Sequence, residues 1–596
     1  SDVEALYLNV DGASKNSGIY TSDIIKETNT PVSAGFAGQN IYKSFSNKMD
    51  SLVSDGQITE WKPFAYDWRQ SVEDIVTNGT FYETGEVSLI NTLQSLVGSS
   101  KNGKVTIVAH SNGGLIAKTL LKKLQNDKIA GVNNLIDSVD VLILVAVPEI
   151  GTPKAVAGIL HGYGQEMLHG WLLDETRARE LGRNMISAFG LLPSREYLNR
   201  VSASPVTFVD SAIPSNVSTK MVQAFGSAIS SYDEYKSFLF GGEGRTNPKV
   251  GQTNLPINLS TSLFNQAENL HNGIDAFIPA ESLRVIEVAG WGLDTLASFE
   301  YYPKLCSTSI GFGMVLDQRP RFIIDGDGTV VVPSAQYMSL SGNAEKYWVD
   351  LEKINDDKFP LAPGVKHANI LEPTSVLEFI SNIIQEVSVT NLQYLSDTIP
   401  VDSKNRFRLS IHSPVTLDAY DIEGNHTGKV CSPDSEFCYI EENIVNSSYL
   451  EFGEGKYLNL PEDQMVKIKL QGTDIGTFTY ESEKVSPGGS SAVSTFVDIP
   501  VTTQTQAEIV LNQTTQNPEL KLDVTGDGVT DFTLLPSATF DPVVYLMIMK
   551  ATINSLDLPL AKKTAFNKRV DNIIKSIQKG KIDKAKLRAD KFKSAL

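Results

Sequence analysis

The fold is decided by one stretch, Val105-Thr-Ile-Val-Ala-His-Ser-Asn-Gly-Gly-Leu-Ile-Ala-Lys-Thr-Leu120. Its first residues are apolar or β-branched, which predicts a strand, and the residues from Leu115 onward have the apolar spacing of a helix. Ser111 then lies at a sharp strand-to-helix turn. Such a turn needs small residues two positions before and two after the serine, where Ala109 and Gly113 stand. The pattern predicts an α/β fold with a nucleophilic Ser111; a plain Ser-Asn-Gly turn is the alternative.

The residues after Ser111 favour chemistry at this turn. Gly114 leaves room for the helix to pack closely against the sheet. The backbone N–H of Asn112 lies at the positive end of the predicted helix, so it can donate to an oxygen that becomes negative during attack on an ester. We therefore expect Asn112 to form part of an oxyanion hole.

A nucleophilic serine needs a base and an acid, and on this fold they follow it in the order serine, acid, histidine. The chain has seven histidines. Only His367 follows Ser111 in the same predicted domain, in a loop before a helical run. The others adjoin the serine, fall in a predicted insertion or lie in a later strand-rich region: His110, His161, His169, His271, His412 and His426.

The acid is predicted in the loop after a short apolar strand, Phe322-Ile-Ile324. This strand runs into Asp325-Gly-Asp327-Gly, about forty residues before His367. Asp325 and Asp327 both fit the position, and a plain turn or part of a calcium loop fits the pattern too.

The rest of the first 395 residues supports an α/β domain. The run Val139–Val147 is apolar on both faces and stops at Pro148, so we predict a central parallel strand. Between about 152 and 295 the periodicity weakens and Gly, Ser and Asn become frequent, which predicts a lid inserted into the domain. From 400 to 540, short alternating segments separated by turns predict a β-sandwich. Residues 541–596 are predicted to be a basic helical segment.

Composition excludes several classes of protein. The 596 residues carry 52 Lys and Arg against 70 Asp and Glu, a net charge of -18, so we do not expect a nucleic-acid binder. No apolar run reaches the roughly 20 residues of a membrane-spanning helix. The three cysteines exclude a zinc cluster on sulfur, while Cys431 and Cys438 fit either a loop-closing disulfide or two free thiols. The start at Ser1 suggests a processed or truncated chain, which is compatible with export.

Two segments suggest binding to ions or surfaces. The loop Asp523–Asp531 places oxygen side chains at the first positions of a calcium loop, through Asp523, Thr525, Asp527 and Asp531, but Leu534 stands where the last ligand would be. Structural calcium and a plain Asp/Gly hairpin fit it equally. From 561 to 596, twelve Lys and Arg stand against three Asp. This tail fits either a helix that contacts an anionic lipid surface or a solvated face packed on its own chain.

Several segments together resemble the lecithin:cholesterol acyltransferase family of lipase-like and phospholipase-like α/β-hydrolases, including bacterial members with a C-terminal β-sandwich. They occur in the family's order and are Phe64-Ala-Tyr-Asp-Trp-Arg69, Ala109-His-Ser-Asn-Gly-Gly114, Val147-Pro-Glu-Ile-Gly-Thr-Pro153, Leu191-Leu-Pro-Ser194, Gly290-Trp-Gly292, Asp325-Gly-Asp-Gly-Thr-Val330 and Lys366-His-Ala-Asn369. The resemblance spans about residues 1 to 390. It implies a triad of Ser111, Asp327 and His367.

The chain departs from the family pattern at two places. Ala109 replaces the first glycine of the turn. The family also begins with an apolar strand and loop that supply the second oxyanion N–H. The early segment Leu6–Gly12 looks like the region after that loop, so we expect the strand to be missing here. Loss of one donor costs about 3 kcal/mol of transition-state stabilisation, which predicts weak activity.

Together these features predict a serine ester hydrolase acting on lipid acyl esters, in a secreted or cell-surface protein that needs no cofactor. An O-acyltransferase that moves the acyl group to an alcohol is the alternative within the same chemistry. A non-catalytic surface-binding protein with a degenerate hydrolase domain is the alternative from another class.

Overall fold

The computed structural model describes residues 4–27, 40–163, 166–167, 171–172, 174–209, 218–308, 311–358, 364–389, 392–412, 414–431, 438–487, 489–514, 517–537 and 541–593. The chain divides into two units, Ser1–Val401 and Asp402–Leu596. Across the ranges just given, none of the helices combines the length and the apolar character needed to span a membrane.

The first unit is built on a five-stranded sheet with the order β12-β11-β8-β4-β3. Its strands are β3 (Val105–His110), β4 (Val139–Val145), β8 (Arg284–Trp291), β11 (Glu345–Asp350) and β12 (Leu395–Ser396). The first four are parallel and β12 is antiparallel to β11. The predicted central parallel strand is confirmed as β4, which lies between β3 and β8.

Strand β4 is apolar on both faces because both faces of the sheet are covered by helices. Leu142 and Leu144 lie in one hydrophobic core, and Ile143 and Val145 lie in the core on the opposite face. The helices of this unit are α1 (Lys43–Ser54), α2 (Val72–Asn78), α3 (Leu89–Ser99), α4 (Gly113–Ile129), α5 (Pro153–His161), α6 (Glu175–Gly182), α7 (Ile186–Phe189), α8 (Arg195–Arg200), α9 (Ser218–Phe225), α10 (Tyr232–Leu239), α11 (Thr261–Ile274), α12 (Val332–Ala335), α13 (Leu351–Asp357) and α14 (Thr374–Ile384).

The segment between β4 and β8 contains the helices α5 to α11 and departs from the sheet. The predicted lid, 152–295, overlaps strand β8, which belongs to the main sheet, so its C-terminal boundary was placed too far along the chain. Parts of that range, 164–165, 168–170, 173 and 210–217, lie outside the described residues. The smaller strands of this unit are β1 (Thr80–Tyr82), β2 (Gly85–Val87), β5 (Glu166–Met167), β6 (Trp171–Leu172), β7 (Val206–Phe208), β9 (Thr295–Thr308) and β10 (Gly311–Ile323).

The second unit contains two antiparallel sheets whose inward-facing side chains share one hydrophobic core. The five-stranded sheet has the order β17-β18-β13-β20-β21, and the seven-stranded sheet has the order β16-β15-β14-β19-β22-β23-β24. The strands are β13 (Arg406–His412), β14 (Asp418–Tyr420), β15 (His426–Cys431), β16 (Cys438–Glu442), β17 (Ser448–Phe452), β18 (Gly455–Pro461), β19 (Val466–Gln471), β20 (Gly476–Ser486), β21 (Gly489–Val501), β22 (Gln506–Leu511), β23 (Leu520–Asp523) and β24 (Phe532–Leu534).

Two features complete this unit. Cys431 and Cys438 form a disulfide that joins the paired strands β15 and β16. Three helices then follow, α15 (Pro542–Ser555), α16 (Leu560–Gln578) and α17 (Ile582–Lys593). Buried side chains of all three form a small core of their own: Ile553, Val570, Ile573, Ala585 and Phe592.

Helix α4 approaches the sheet closely because its second residue is a glycine. A Cβ atom added to Gly114 would lie 2.3 Å from Cγ2 of Val147, in the loop after β4. An added Cβ on the neighbouring Gly113 would meet no atom within 4 Å. The buried Val147 side chain therefore occupies the space that the glycine at position 114 leaves.

A buried charged cluster ties α11 to the segment around Gly190. His271 Nδ1 lies 2.8 Å from Asp275 Oδ1, and His271 Nε2 lies 2.8 Å from the Gly190 carbonyl oxygen. Ser194 donates to the other Asp275 oxygen at 2.6 Å. Both ring nitrogens of His271 face acceptors, so the geometry favours the doubly protonated imidazolium. Burial alone would lower the pKa of His271, but Asp275 raises it above the ordinary value.

Replacement of Gly114 by Ala should destabilise the first unit by about 1–3 kcal/mol, because the added methyl group overlaps Val147. Gly113→Ala is the matched control, and its effect should stay within about 1 kcal/mol. Urea unfolding followed by tryptophan fluorescence reports this unit, since all five tryptophans precede residue 402. Equal effects of the two substitutions would contradict the packing argument.

The free energy of unfolding lost in His271→Gln should depend on pH. A raised pKa in the folded state means that the imidazolium stabilises the fold below the ordinary pKa of about 6.5, and that this contribution disappears as pH rises through the raised value. The loss should therefore be larger at pH 6 than at pH 9. Urea unfolding of both proteins across this range measures it.

His161→Gln provides a control of opposite sign. Burial lowers the pKa of His161 to about 3. Its ring is hydrogen-bonded in the neutral form, between the Thr253 carbonyl and the Tyr301 hydroxyl. The stability lost in His161→Gln should therefore shrink as pH falls below about 6.5, where the unfolded histidine gains a proton. The same trend in both variants would refute the charged state assigned to His271.

Candidate active site

Ser111 lies in the turn between β3 and α4, as the sequence predicts. Its backbone φ of 52° is in the left-handed region, which is unfavourable for residues other than glycine. The Ser111 N–H donates to the Val145 carbonyl at 3.0 Å, so the neighbouring strand β4 holds the turn in place. This strained backbone is stable only because the surrounding sheet and helix fix both of its ends.

The three residues of the predicted triad form one continuous chain of hydrogen bonds. His367 Nε2 lies 2.8 Å from Ser111 Oγ, and His367 Nδ1 lies 2.8 Å from Asp327 Oδ2. His367 begins a short 3-10 helix, His367–Asn369, in the loop before α14. Ser111 and His367 are 256 residues apart in sequence, so the fold brings them together.

Both carboxylate oxygens of Asp327 have hydrogen-bond donors. Oδ1 accepts from the backbone N–H groups of Thr329 at 2.9 Å and Val330 at 2.8 Å, and Oδ2 faces His367. The side chain is buried, and the His367 N–H donates to the Asp327 carbonyl oxygen at 3.0 Å. The turn of the Asp-Gly-Asp-Gly-Thr segment therefore orients this carboxylate towards the histidine.

Asp325, the other candidate acid, occupies a different environment. Burial raises the pKa of its carboxyl group. Its Oδ1 is buried and has no hydrogen-bond partner in the described part of the chain. Of the two aspartates that the sequence leaves open, Asp327 is the one hydrogen-bonded to His367.

The Gly290-Trp-Gly292 segment makes room for the acid. A Cβ atom added to Gly290, in strand β8, would lie 2.6 Å from Cβ of Asp327 and 2.8 Å from a methyl carbon of Leu351. A side chain at this position would displace the carboxylate. The close approach explains why glycine occupies this point of the sheet.

Tyr66 contacts the turn in a way that the sequence did not reveal. Burial raises the pKa of Tyr66 to about 12, and the nearby side-chain amide of Asn112 opposes that rise. Close by in sequence, Arg69 binds Asp67 through Nε at 2.9 Å and Nη2 at 2.6 Å. The Tyr-Asp-Trp-Arg motif was recognised only as a resemblance, because nothing in its spacing indicates a contact with Asn112.

The loop Asp523–Asp531 uses its carboxylates within the turn. Asp523 accepts from the backbone N–H groups of Thr525, Gly526 and Gly528, and Asp531 accepts from Val524. Asp527 Oδ1 accepts from the Val529 N–H. Over the described ranges, no group of three or more His, Cys, Asp or Glu is placed to hold a metal ion. Calcium binding in this loop stays a prediction.

The family model for lecithin:cholesterol acyltransferase matches residues 30–373, which is more than half of the chain. No curated protein matches this chain. The solved structure titled "The crystal structure of Tle4-Tli4 complex" is 14% identical, over 54% of this chain and 68% of that one, with a TM-score of 0.34. Phospholipase PlaB from Legionella pneumophila is 10% identical over 75% and 87%, with a TM-score of 0.17.

The matched range includes Ser111, Asp327 and His367 together with the five-stranded sheet up to β11. The family implies the α/β-hydrolase fold, and a parallel sheet covered by helices on both faces is the architecture of that fold. The chain belongs to the lecithin:cholesterol acyltransferase family.

Proposed function

We propose that the protein is a serine ester hydrolase that acts on lipid acyl esters. The observation that carries this proposal is the hydrogen-bonded chain from Ser111 Oγ through His367 to Asp327. A serine, a histidine and a buried carboxylate in this order can activate the serine hydroxyl for attack on an ester. Membership of the family supports acyl esters of lipids as the substrate class.

In the proposed mechanism, Ser111 Oγ attacks the acyl carbonyl while His367 Nε2 takes the hydroxyl proton. Asp327 holds His367 through Nδ1 and offsets the positive charge of the imidazolium. Collapse of the tetrahedral intermediate breaks the ester bond, and His367 donates the proton to the departing alcohol. Water then attacks the acyl-enzyme by the same route and releases the fatty acid and free Ser111. These proton and acyl transfers require no metal or organic cofactor.

The backbone N–H of Asn112 is the proposed oxyanion donor. It directly follows Ser111 and lies at the N-terminus of α4, where the helix dipole favours negative charge. A single donor of this kind is worth about 3 kcal/mol of transition-state stabilisation.

Transfer of the acyl group to an alcohol is the second outcome of the same acyl-enzyme. Hydrolysis and transfer differ only in whether water or an alcohol attacks the acyl group bound to Ser111. The segment between β4 and β8 is the proposed lid, which would set chain length and head-group preference and admit the acceptor. A panel of esters with water alone and with added alcohols separates the two reactions.

We further propose that the protein works at a lipid surface outside the reducing cytosol. The disulfide between Cys431 and Cys438 supports a secreted or cell-surface location, because disulfides persist in oxidising compartments. Lys568 and Lys575 on α16 and Lys579, which caps its C-terminus, are exposed and spaced by seven and four residues, so they share one face. This basic face of α16 points away from buried Val570 and Ile573, and it suits anionic lipid headgroups.

A fluorophosphonate probe should label Ser111, and Ser111→Ala should remove the adduct, because the probe needs an activated serine. Asp327→Asn should lower the labelling rate by roughly 10⁴-fold, since His367 loses its orienting carboxylate. Asp325→Asn is the matched control and should label at close to the parent rate. Intact mass measured over time gives all four rates.

The outcomes of this experiment discriminate between the function classes. Labelling that survives Ser111→Ala would place the reactive group elsewhere and overturn the assignment. A folded parent protein that takes no adduct would favour the alternative of a non-catalytic surface-binding protein.

Binding to phosphatidylcholine vesicles that contain phosphatidylglycerol should depend on the basic face of α16. The triple variant Lys568→Gln, Lys575→Gln, Lys579→Gln should bind on the order of 100-fold more weakly at low salt, since each lysine near an anionic surface contributes about 1 kcal/mol. Vesicle sedimentation measures this, with Ser111→Ala in every protein so that the lipid is not consumed.

The charge-matched control is Lys101→Gln, Lys220→Gln, Lys521→Gln, which removes three exposed lysines elsewhere. It should bind like the parent. Equal weakening by both triple variants would show a response to net charge alone. Binding to pure phosphatidylcholine as tight as to the anionic vesicles would reject the proposal.

A further inference from the structure

His110, which directly precedes Ser111, links two distant parts of the first unit. Its Nδ1 lies 2.7 Å from the Tyr42 hydroxyl, and its Nε2 lies 3.0 Å from the backbone carbonyl oxygen of His367. The rings of His110 and His367 are 5.1 Å apart, centroid to centroid. The last residue of β3, directly before the candidate nucleophile, is thus hydrogen-bonded to the loop that carries the candidate base.

The partners of His110 select one tautomer of its ring. Burial and the neighbouring His367 lower the pKa of His110 to about 3, so the ring is neutral and carries a single N–H. The His367 carbonyl can only accept, so the proton lies on Nε2. Nδ1 must then accept the hydroxyl proton of Tyr42. A tyrosine donor is suited to this role because burial raises the pKa of Tyr42 and keeps its proton in place.

This bond completes the fixation of the His367 backbone. The His367 N–H donates to the Asp327 carbonyl at 3.0 Å, and its own carbonyl accepts from His110. The backbone of His367 is therefore held at both its N–H, by Asp327, and its carbonyl group, by His110. A shift of the loop would change the 2.8 Å contact between His367 Nε2 and Ser111 Oγ directly.

We propose that His110 is a positioning residue for the reaction, which holds the His367 loop against Ser111, and that Tyr42 maintains the tautomer required for this. The inference rests on the proposed serine esterase function. The neutral state of His110 also matters in the reaction, because a second positive charge beside His367 would oppose formation of its imidazolium.

Three substitutions separate this role from simple core packing. In His110→Gln the amide nitrogen can still donate to the His367 carbonyl, whereas His110→Leu fills similar space without a donor. Tyr42→Phe keeps the buried ring and removes only the hydroxyl. We expect His110→Leu to lower kcat for an ester about 10- to 100-fold with little change in KM, since small misplacement of a catalytic group has effects of this size. His110→Gln should retain most of the parent kcat, and Tyr42→Phe should lie between them.

A second measurement does not depend on activity. In protein labelled with [15N]histidine, the His110 signals should show a proton on Nε2, none on Nδ1, and no titration between pH 8 and pH 5. Tyr42→Phe should mix the two tautomers. Urea unfolding by tryptophan fluorescence confirms that each variant is folded.

The two hypotheses fail in different ways. If His110 carries its proton on Nδ1 or titrates near pH 6.5, the positioning role is wrong whether or not the enzyme is active. The role is also wrong if His110→Leu and His110→Gln have the same kcat. A parent protein that shows the predicted histidine signals but takes no fluorophosphonate would refute the esterase function and, with it, a role for His110 in the reaction.

Discussion

The left-handed backbone at Ser111 is the constraint on which the site depends. A serine with a φ of 52° is held only if strand and helix fix it from both sides. The first support is the hydrogen bond from the Ser111 N–H to the Val145 carbonyl oxygen. The second is the close contact between α4 and Val147, which Gly114 permits. Because the turn is sharp, the hydroxyl projects beyond the sheet towards His367, while the next N–H lies at the start of a helix. One strained residue thus determines where the proposed nucleophile, the proposed oxyanion donor and the start of the helix lie.

The acid is supported by a different kind of structure. Asp327 is buried in a turn whose own N–H groups satisfy one carboxylate oxygen, and this leaves the other for His367. A buried carboxylate without such donors would be costly and would gain a proton. Gly290 then allows this turn to approach the sheet. The position of Asp327 therefore depends on local hydrogen bonds and on the lack of a side chain at Gly290. The position of Ser111 depends instead on the packing of the sheet and helix.

The sequence predicted the parts of the site that have either a local pattern or a fixed order along the chain. Ser111 follows from a strand-turn-helix pattern within twenty residues, and His367 follows from the order of residues on the chain. The choice between Asp325 and Asp327 could not be made from position, because it depends on which carboxylate the turn directs towards the histidine. The hydrogen bond between Tyr42 and His110 joins two segments that no repeated spacing in the sequence connects. The end of the proposed insertion was placed too late because the apolar run of β8 directly follows a region of weak periodicity.

The disulfide has a consequence for association between molecules. In the described part of the seven-stranded sheet, β16 is one of the two outermost strands, and Cys438 at its beginning is bonded to Cys431 at the end of β15. Outermost strands carry unpaired backbone N–H and C=O groups that can pair with a strand from another chain. When an outermost strand separates from the sheet, the backbone groups of the next strand are exposed as well. The covalent link keeps β16 in register, so a partly unfolded edge is rarely available. In an oxidising medium, the bond therefore acts as protection against fibril-like growth at a sheet margin.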